Sequence, residues 1–147
     1  MIIYKRVEGA DPTDFNAIKK INDDSFEGVE RPPQGILFAH FMADDVFVLR
    51  DLTTEAIYAF AFVTERGGPY IWSIAVTPTY RGAGCGTQLL QEIEEFYRHA
   101  GRQSIGLTCK TTNPAQKLYF DMGYRVEKVA QNYYGLEVDG LFMRRVL

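Results

Sequence analysis

A glycine-rich loop between a predicted strand and a predicted helix is the feature that most constrains this chain. Residues 70–78 are mainly apolar, β-branched or aromatic, which predicts a strand. Gly82, Gly84 and Gly86 then follow at alternate positions, directly after Arg81. A helix N-terminus presents unpaired backbone N–H groups, and glycine lets a ligand approach the backbone closely. The stretch therefore predicts an anion site, typically for phosphate, where the strand meets the helix.

Two common nucleotide-binding loops do not match this stretch. A Walker A loop ends in Gly-Lys-Ser/Thr, whereas Gly86 is followed by Thr87, where the helical pattern begins. A dinucleotide loop has the spacing Gly-x-Gly-x-x-Gly and an acid about 20 residues later. Here the spacing is Gly-x-Gly-x-Gly, and residues 102–106 contain no acid. A tight turn without a ligand is the remaining structural alternative.

The rest of the chain alternates between strand and helix patterns. The predicted order is β-α-α-β-β-β-α-β-α-β-β, a mixed α/β sandwich without internal repeats or linkers. Residues 56–63 are almost continuously apolar, which predicts a strand buried on both faces. Asp11 and Asn113 are predicted helix caps, each followed by a proline at the first helical position. The length of 147 residues fits a single domain, residues 1–147.

Composition and charge limit the binding partners and the cellular compartment that we expect for this chain. The net charge is −3 and no run of Lys or Arg occurs, so we expect no nucleic-acid partner. No long apolar stretch or signal peptide is evident, so we expect no membrane association. The two cysteines, Cys85 and Cys109, have no metal-ligand spacing, so no metal site is predicted. A cytoplasmic protein, monomeric or homodimeric, is the expectation.

Two motifs in order resemble the GNAT acetyltransferase superfamily. Its cofactor loop has the pattern Arg/Gln-x-x-Gly-x-Gly/Ala, which Arg81, Gly84 and Gly86 fill. Its second segment has the pattern N-x-x-A-x-x-L-Y-x-x-x-G-F/Y. The residues that match it are Asn113, Ala115 (one place early), Leu118, Tyr119, Gly123 and Tyr124. The resemblance covers roughly residues 56–134. Within the superfamily, the chain resembles the ribosomal-protein N-terminal alanine acetyltransferases. It implies an acyl-CoA N-acyltransferase fold, with a mostly antiparallel mixed sheet of about seven strands flanked by about four helices.

The resemblance also implies an acetyl-CoA site. The backbone groups that would pair with the pantetheine arm belong to Ile74, Ala75 and Val76. The groups that would hold the pyrophosphate are the side chain of Arg81 and the backbone N–H groups of Gly82, Ala83, Gly84, Cys85, Gly86 and Thr87. Asn113 would hydrogen-bond the pantetheine region, and Tyr119 would protonate the departing thiolate. A phenol can donate a proton in this way, although the helical spacing of Tyr119 equally fits a core residue.

The proton acceptor for the attacking amine is harder to identify. N-terminal acetyltransferases often carry a glutamate in a strand segment resembling Leu-Glu-Val-Arg, and here Thr108 takes its place within residues 107–110. The alternatives are Glu55 or Glu65, a water chain ordered by Ser73, or an acceptor that arrives neutral. The water route through Ser73 is the favoured hypothesis. A covalent role for Cys85 would need a supporting histidine, and none is positioned by the sequence.

The acceptor site is predicted between the first two helices and the last hairpin. Acids cluster in the first segment: Asp23, Asp24, Glu27 and Glu30 could attract a cationic amine, or simply be solvated. We assign Glu27 to acceptor binding. Tyr133 and Tyr134 end a predicted strand and resemble the tyrosines that flank the peptide in N-terminal acetyltransferases; strand packing is the alternative.

Together these features predict an acetyl-CoA-dependent N-acetyltransferase. Acetyl would pass directly to a primary amine, on a protein N-terminus or a small molecule. A second hypothesis, motivated by the missing glutamate, is a catalytically silent acetyl-CoA-binding sensor or interaction module.

Overall fold

Strands and helices occur in the predicted order. The computed structural model describes residues 2–7 (backbone only), 11–65 and 67–147. The strands are β1 (Ile2–Val7), β2 (Asp45–Asp51), β3 (Ile57–Glu65), β4 (Pro69–Val76), β5 (Ser104–Lys110), β6 (Arg125–Ala130) and β7 (Gly140–Val146). The helices are α1 (Pro12–Ser25), α2 (Gln34–Ala43), α3 (Cys85–His99) and α4 (Gln116–Asp121). Short 3-10 turns at Gly28–Glu30 and Pro78–Tyr80 complete the described elements.

The strands form one sheet in which the parallel strands β4 and β5 pair over only part of their length. The order is β1-β2-β3-β4-β5-β7-β6, and each pair of neighbours except β4 and β5 is antiparallel. This confirms the predicted mostly antiparallel mixed sheet. The α3 crossover makes the parallel pairing possible. β4 and β5 pair only at Tyr70↔Gly106 and Ile71↔Leu107, although both strands continue, so they diverge beyond these pairs.

Helices cover both faces of the sheet. Helices α1 and α2 pack on one face, and α3 and α4 pack on the other. Within β3, Phe60 and Phe62 enter the α1–α2 core, whereas Ala59, Ala61 and Val63 enter the α3–α4 core. All five are at most 1% exposed, so the predicted burial of this strand on both faces is confirmed. No helix in the described part of the chain is long and apolar enough to cross a membrane.

The predicted helix caps are confirmed in one case and shifted in the other. Asp11 caps α1 by accepting the Thr13 N–H at 2.8 Å. Asn113 accepts the Ala115 N–H at 2.9 Å, but α4 begins only at Gln116. This hydrogen bond spans only two positions of the chain and closes a turn at Pro114. The prediction of a helix beginning directly after Asn113 is therefore wrong.

Candidate active site

A cavity of about 600 Å³ opens where β4 and β5 stop pairing. Its walls come from both strands, the α1–α2 loop, the segment before α4 and the β6–β7 loop. We call this cavity the slot. Because the strands diverge beyond Ile71 and Leu107, their backbone groups border the slot instead of bonding to each other. The slot therefore offers an extended ligand the hydrogen bonds of a missing strand.

The slot is lined from both faces of the sheet. Leu107 and Cys109 belong to the α3–α4 core, as does Tyr119. Successive strand side chains point to opposite faces, so Thr108 and Lys110 line the slot from the α1–α2 side. A flat group held between the strands can therefore be approached by a different partner from each face.

Tyr119 is a proton-bearing group on the α3–α4 side of the slot. Its side chain is 5% exposed and packs edge to face against Tyr124, with ring centroids 5.9 Å apart. Burial raises the pKa of the Tyr119 phenol above its ordinary value, and the Cys109 thiol adds to the shift. Tyr119 therefore keeps its proton and faces the slot as a hydrogen-bond donor.

One edge of β4 is free beyond the point where β5 leaves it. The Thr77 N–H donates to the Tyr58 carbonyl at 2.8 Å, toward β3. Backbone groups of alternate residues point to the same side of a strand, so Ala75 also points toward β3. Ile74 and Val76 point the other way, away from β3; Ile74 lines the slot, and the Val76 carbonyl already accepts from Arg81. The alternation thus separates the three predicted pantetheine contacts: Ile74 and Val76 are suitably directed, and Ala75 is not.

The glycine loop leads into α3 in the conformation that the sequence requires. Gly82 and Gly84 have positive φ values of 76° and 86°, which glycine adopts without strain. α3 begins at Cys85, earlier than the predicted start at Thr87, because Gly84 in its left-handed conformation is already the N-cap. The N–H groups of Cys85, Gly86 and Thr87 thus lie in the first turn, where no helical acceptor is available.

Two predicted loop residues have structural contacts of their own. The Arg81 guanidinium donates through Nε to the Val76 carbonyl at 3.0 Å and through Nη2 to Ser25 Oγ at 2.9 Å. It thereby ties the loop to the ends of β4 and α1. Cys85 is 4% exposed within the α3–α4 core and does not line the slot. Its thiol is therefore buried away from the slot, and the geometry does not support the covalent role considered from the sequence.

Gly86 and Asn113 shape the contact between the loop and α4. A Cβ atom on Gly86 would lie 3.3 Å from Leu118 Cδ2, so glycine lets α3 pack closely against α4. Asn113 lines the slot, and its Oδ1 accepts the Ala115 N–H, so its Nδ2 group is not used in that bond. Ala83 is exposed in the loop and Thr87 is half-buried.

The candidate proton acceptors from the sequence fall in different places. Ser73 lines the slot, and Thr108 hydrogen-bonds to the Tyr70 hydroxyl across it. Burial raises the pKa of Tyr70 to about 12, so this phenol stays protonated. Glu55 lies in the β2–β3 turn and Glu65 ends β3, paired with an arginine at 2.9 Å. Neither glutamate lines the slot.

The acids after α1 also separate. Glu27, predicted to bind the acceptor, is exposed and lies outside the slot lining. Glu30 lines the slot, is 22% exposed and meets Lys110 Nζ at 2.8 Å. Asp23 and Asp24 pair with lysines one turn earlier on α1. Gly28, with φ of 57°, turns the chain between the two glutamates and gives them different directions.

Tyr133 and Tyr134 both line the slot, but from a loop. β6 ends at Ala130, so the prediction of a strand through Tyr134 is wrong. The reason is Asn132, which has a positive φ of 56° and donates its N–H to Asp139 Oδ1 at 2.9 Å, closing a loop. The two rings meet edge to face, with centroids 4.8 Å apart. Burial, then the neighbouring Tyr133, raises the pKa of Tyr134.

Several residues that line the slot were not identified from the sequence, among them Tyr70, Trp72 and Lys110. Trp72 is the extra residue of a β-bulge, because Ser73 pairs with Phe62 and Ile71 pairs with Val63. Its ring stacks on His40, with centroids 3.8 Å apart. The one local signal was Lys110, which lies two residues after Thr108 and hence on the same face.

The fold and the slot define a class of protein, a transferase that brings two substrates together through an opening in a mixed sheet. The acetyltransferase (GNAT) family model matches residues 15–124, and the chain belongs to this family. The family assignment confirms the resemblance and the fold predicted from the sequence. The protein is an N-acetyltransferase, an enzyme that transfers acetyl to an amine.

Several relatives are similar to this chain. It is 29% identical over 132 residues to an uncharacterised N-acetyltransferase of Methanocaldococcus jannaschii, covering 88% of this chain and 84% of that protein. It is 33% identical over 64 residues to the ribosomal protein bS18-alanine N-acetyltransferase of Haemophilus influenzae, covering 44% of each. The crystal structure of the ribosomal-protein-S18-alanine N-acetyltransferase of Escherichia coli has a TM-score of 0.85 at 21% identity, covering 99% of this chain and 94% of that chain. These similarities do not favour the catalytically silent alternative.

Proposed function

We propose that residues 1–147 act as one domain that transfers acetyl from acetyl-CoA directly to a primary amine, at a peptide N-terminus or on a small molecule. The slot between β4 and β5 carries this proposal. It has a hydrogen-bonding edge on β4, the phenol of Tyr119 on one face, and Tyr133 and Tyr134 on the other. The donor would lie along the strand edge, and the acceptor would reach it from the α1–α2 side.

The residues present fit an acetyl-CoA donor. The pantetheine amides would pair with the backbone groups of Ile74 and with the Val76 N–H, on the edge of β4 that faces away from β3, as an added strand does. The pyrophosphate would lie at the start of α3, where N–H groups from Gly82 to Thr87 and the helix dipole favour an anion. Asn113 would donate from Nδ2 to the pantetheine arm. Arg81 would hold the loop in shape through Val76 and Ser25, and its positive charge would add to the attraction.

Tyr119 would assist the leaving sulfur. A phenol whose pKa is raised by burial is a weaker acid, but the departing thiolate is desolvated in the same slot and binds a proton more tightly for the same reason. The two shifts offset each other in the proton transfer. The Tyr119 hydroxyl would therefore hydrogen-bond the sulfur as charge develops on it.

Ser73 would relay the proton of the amine through a water, as proposed from the sequence. Its hydroxyl lines the slot and can hold a water next to the attacking amine. A serine hydroxyl can pass a proton along but cannot keep it at neutral pH, so the relay needs a stronger acceptor at its end.

Location and partners from the sequence stay predictions. We propose a cytoplasmic enzyme, monomeric or homodimeric, with no nucleic-acid or membrane partner. The net charge of −3 supports the part that concerns nucleic acids.

A thiol-release assay tests the proposal. Purified protein is mixed with acetyl-CoA and a panel of short peptides with free N-termini, alkyl diamines and amino acids. We expect release of free CoA together with an acetylated product seen by mass spectrometry. Binding of acetyl-CoA by calorimetry without any CoA release would support a silent binding module. No binding at millimolar concentration would contradict both.

A further inference from the structure

The attacking amine nitrogen must lose a proton, and neither Tyr119 nor Ser73 is a base that can keep it at neutral pH. The titratable groups that line the acceptor side of the slot are Glu30, Lys110, Tyr70, Tyr133 and Tyr134. Among the described residues that line the slot, Glu30 is the one carboxylate. A lysine ammonium has no acceptor, and phenols are far weaker bases than a carboxylate at neutral pH. Chemistry alone thus selects Glu30 among these groups.

The geometry supports the same residue. Lys110 Nζ holds the Glu30 carboxylate at 2.8 Å, and Lys110 shares its strand face with Thr108. The acid therefore shares the acceptor side of the slot with Thr108 and Lys110, and it is supplied by the α1–α2 loop rather than by β5. The loop that presents it is fixed, because Arg31 donates to the carbonyls of Phe26 and Asp23 at the end of α1, each at 2.8 Å.

We propose that Glu30 is the catalytic residue that receives the proton of the acceptor amine, and that Lys110 is its positioning residue. The assignment rests on the proposed function. The amine nitrogen bonds to the thioester carbonyl carbon, the C–S bond breaks, and the electron pair leaves with the sulfur. The nitrogen proton passes to a Glu30 carboxylate oxygen, directly or through one water held by Ser73. Glu30 then releases this proton to solvent, and CoA departs as the thiolate that Tyr119 hydrogen-bonds, which takes up a proton from solvent to give the free thiol.

Steady-state kinetics of matched variants test the assignment, with whichever probe peptide or amine wild type acetylates. Glu30→Gln keeps the shape of the side chain and removes the base, so we expect kcat to fall about 10²- to 10⁴-fold. The KM for acetyl-CoA should stay close to that of wild type. Lys110→Gln breaks the same ion pair but leaves the carboxylate, so its loss should be much smaller. Glu127→Gln removes a glutamate from an ion pair with Arg144, also at 2.8 Å, outside the slot, and serves as the charge control.

Chemical rescue separates catalysis from loop tethering. Formate can enter the space left in Glu30→Ala, so added formate should restore part of kcat there and should not affect Lys110→Gln. Calorimetry with acetyl-CoA checks that each variant is folded. Wild-type kcat in Glu30→Gln would overturn the assignment. Equal losses in Glu30→Gln and Lys110→Gln, without formate rescue, would assign the pair a tethering role and also overturn it. Failure of wild type with every probe would instead contradict the proposed function on which the assignment rests.

Discussion

Replacing Tyr119 with phenylalanine removes one hydroxyl from the α3–α4 side of the slot. The ring is 5% exposed and packs edge to face against Tyr124, and phenylalanine can fill the same space in the same rotamer. Tyr119 lines the slot, and the change deletes a single oxygen atom while the ring that packs against Tyr124 stays in place. We therefore expect the stability to change by about 1 kcal/mol or less.

The expected kinetic loss follows from the interaction that disappears. In the proposed reaction the phenol donates a hydrogen bond to a developing thiolate in a desolvated slot. Hydrogen bonds to charged groups contribute about 1.5–3 kcal/mol, and each 1.36 kcal/mol changes a rate tenfold. The kcat of Tyr119→Phe should thus fall about 10- to 150-fold. Because the charge develops only as the C–S bond breaks, the KM for acetyl-CoA should change little.

The assay is CoA release at saturating acetyl-CoA, with thermal unfolding measured on the same samples. Tyr124→Phe is the matched control: its ring is fully buried in the same core but does not line the slot. Its hydroxyl lies beside the buried Glu94, so this variant should change stability and leave kcat per folded enzyme unchanged. An unchanged kcat in Tyr119→Phe, on an acceptor that wild type acetylates, would falsify the role of Tyr119.

Two further predictions concern the loop and the pH profile. Gly84→Ala should reduce stability by about 1–2 kcal/mol, because φ of 86° is left-handed, and should weaken acetyl-CoA binding in calorimetry. Its Cβ meets open space, so an unchanged melting temperature would refute the backbone argument. Burial raises the pKa of Tyr119, so this phenol stays protonated as the pH rises. Its ionisation should therefore cause no loss of kcat at any pH below ~10. A phenol titrating earlier, seen by ultraviolet absorbance alongside lost activity, would contradict this.

The parts of the structure that depend on local sequence were predictable. The element order, the Asp11 cap and the double burial of β3 each follow from patterns within a few residues. The glycine loop was predictable for the same reason, because positive φ at Gly82 and Gly84 needs no distant partner. Resemblance to a family then placed these elements in one mixed sheet.

The slot was not predictable, because its residues meet across long distances in the chain. Tyr70 and Thr108 become neighbours only through the register of the parallel strands β4 and β5. Lys110 meets Glu30 across 80 residues. Which of Glu27 and Glu30 faces the slot depends on the turn at Gly28, and hydrophobic periodicity carries no signal for it. The loop that holds Tyr133 and Tyr134 was hidden for a similar reason, since Asp139 closes it from beyond the tyrosines.

The glutamate at position 30 explains why position 108 can be a threonine. Thr108 hydrogen-bonds to Tyr70 and lies two residues from Lys110, which already holds the Glu30 carboxylate. A second carboxylate at position 108 would share this partly desolvated wall, and like charges would raise the pKa of one of the acids. A single carboxylate, at position 30 or at position 108, is therefore enough to accept the proton of the amine. We therefore expect Thr108→Glu to restore kcat in a Glu30→Gln background, measured as CoA release, and to add nothing to wild type. Failure to restore activity in a folded double variant that binds acetyl-CoA would show that the two positions are not interchangeable.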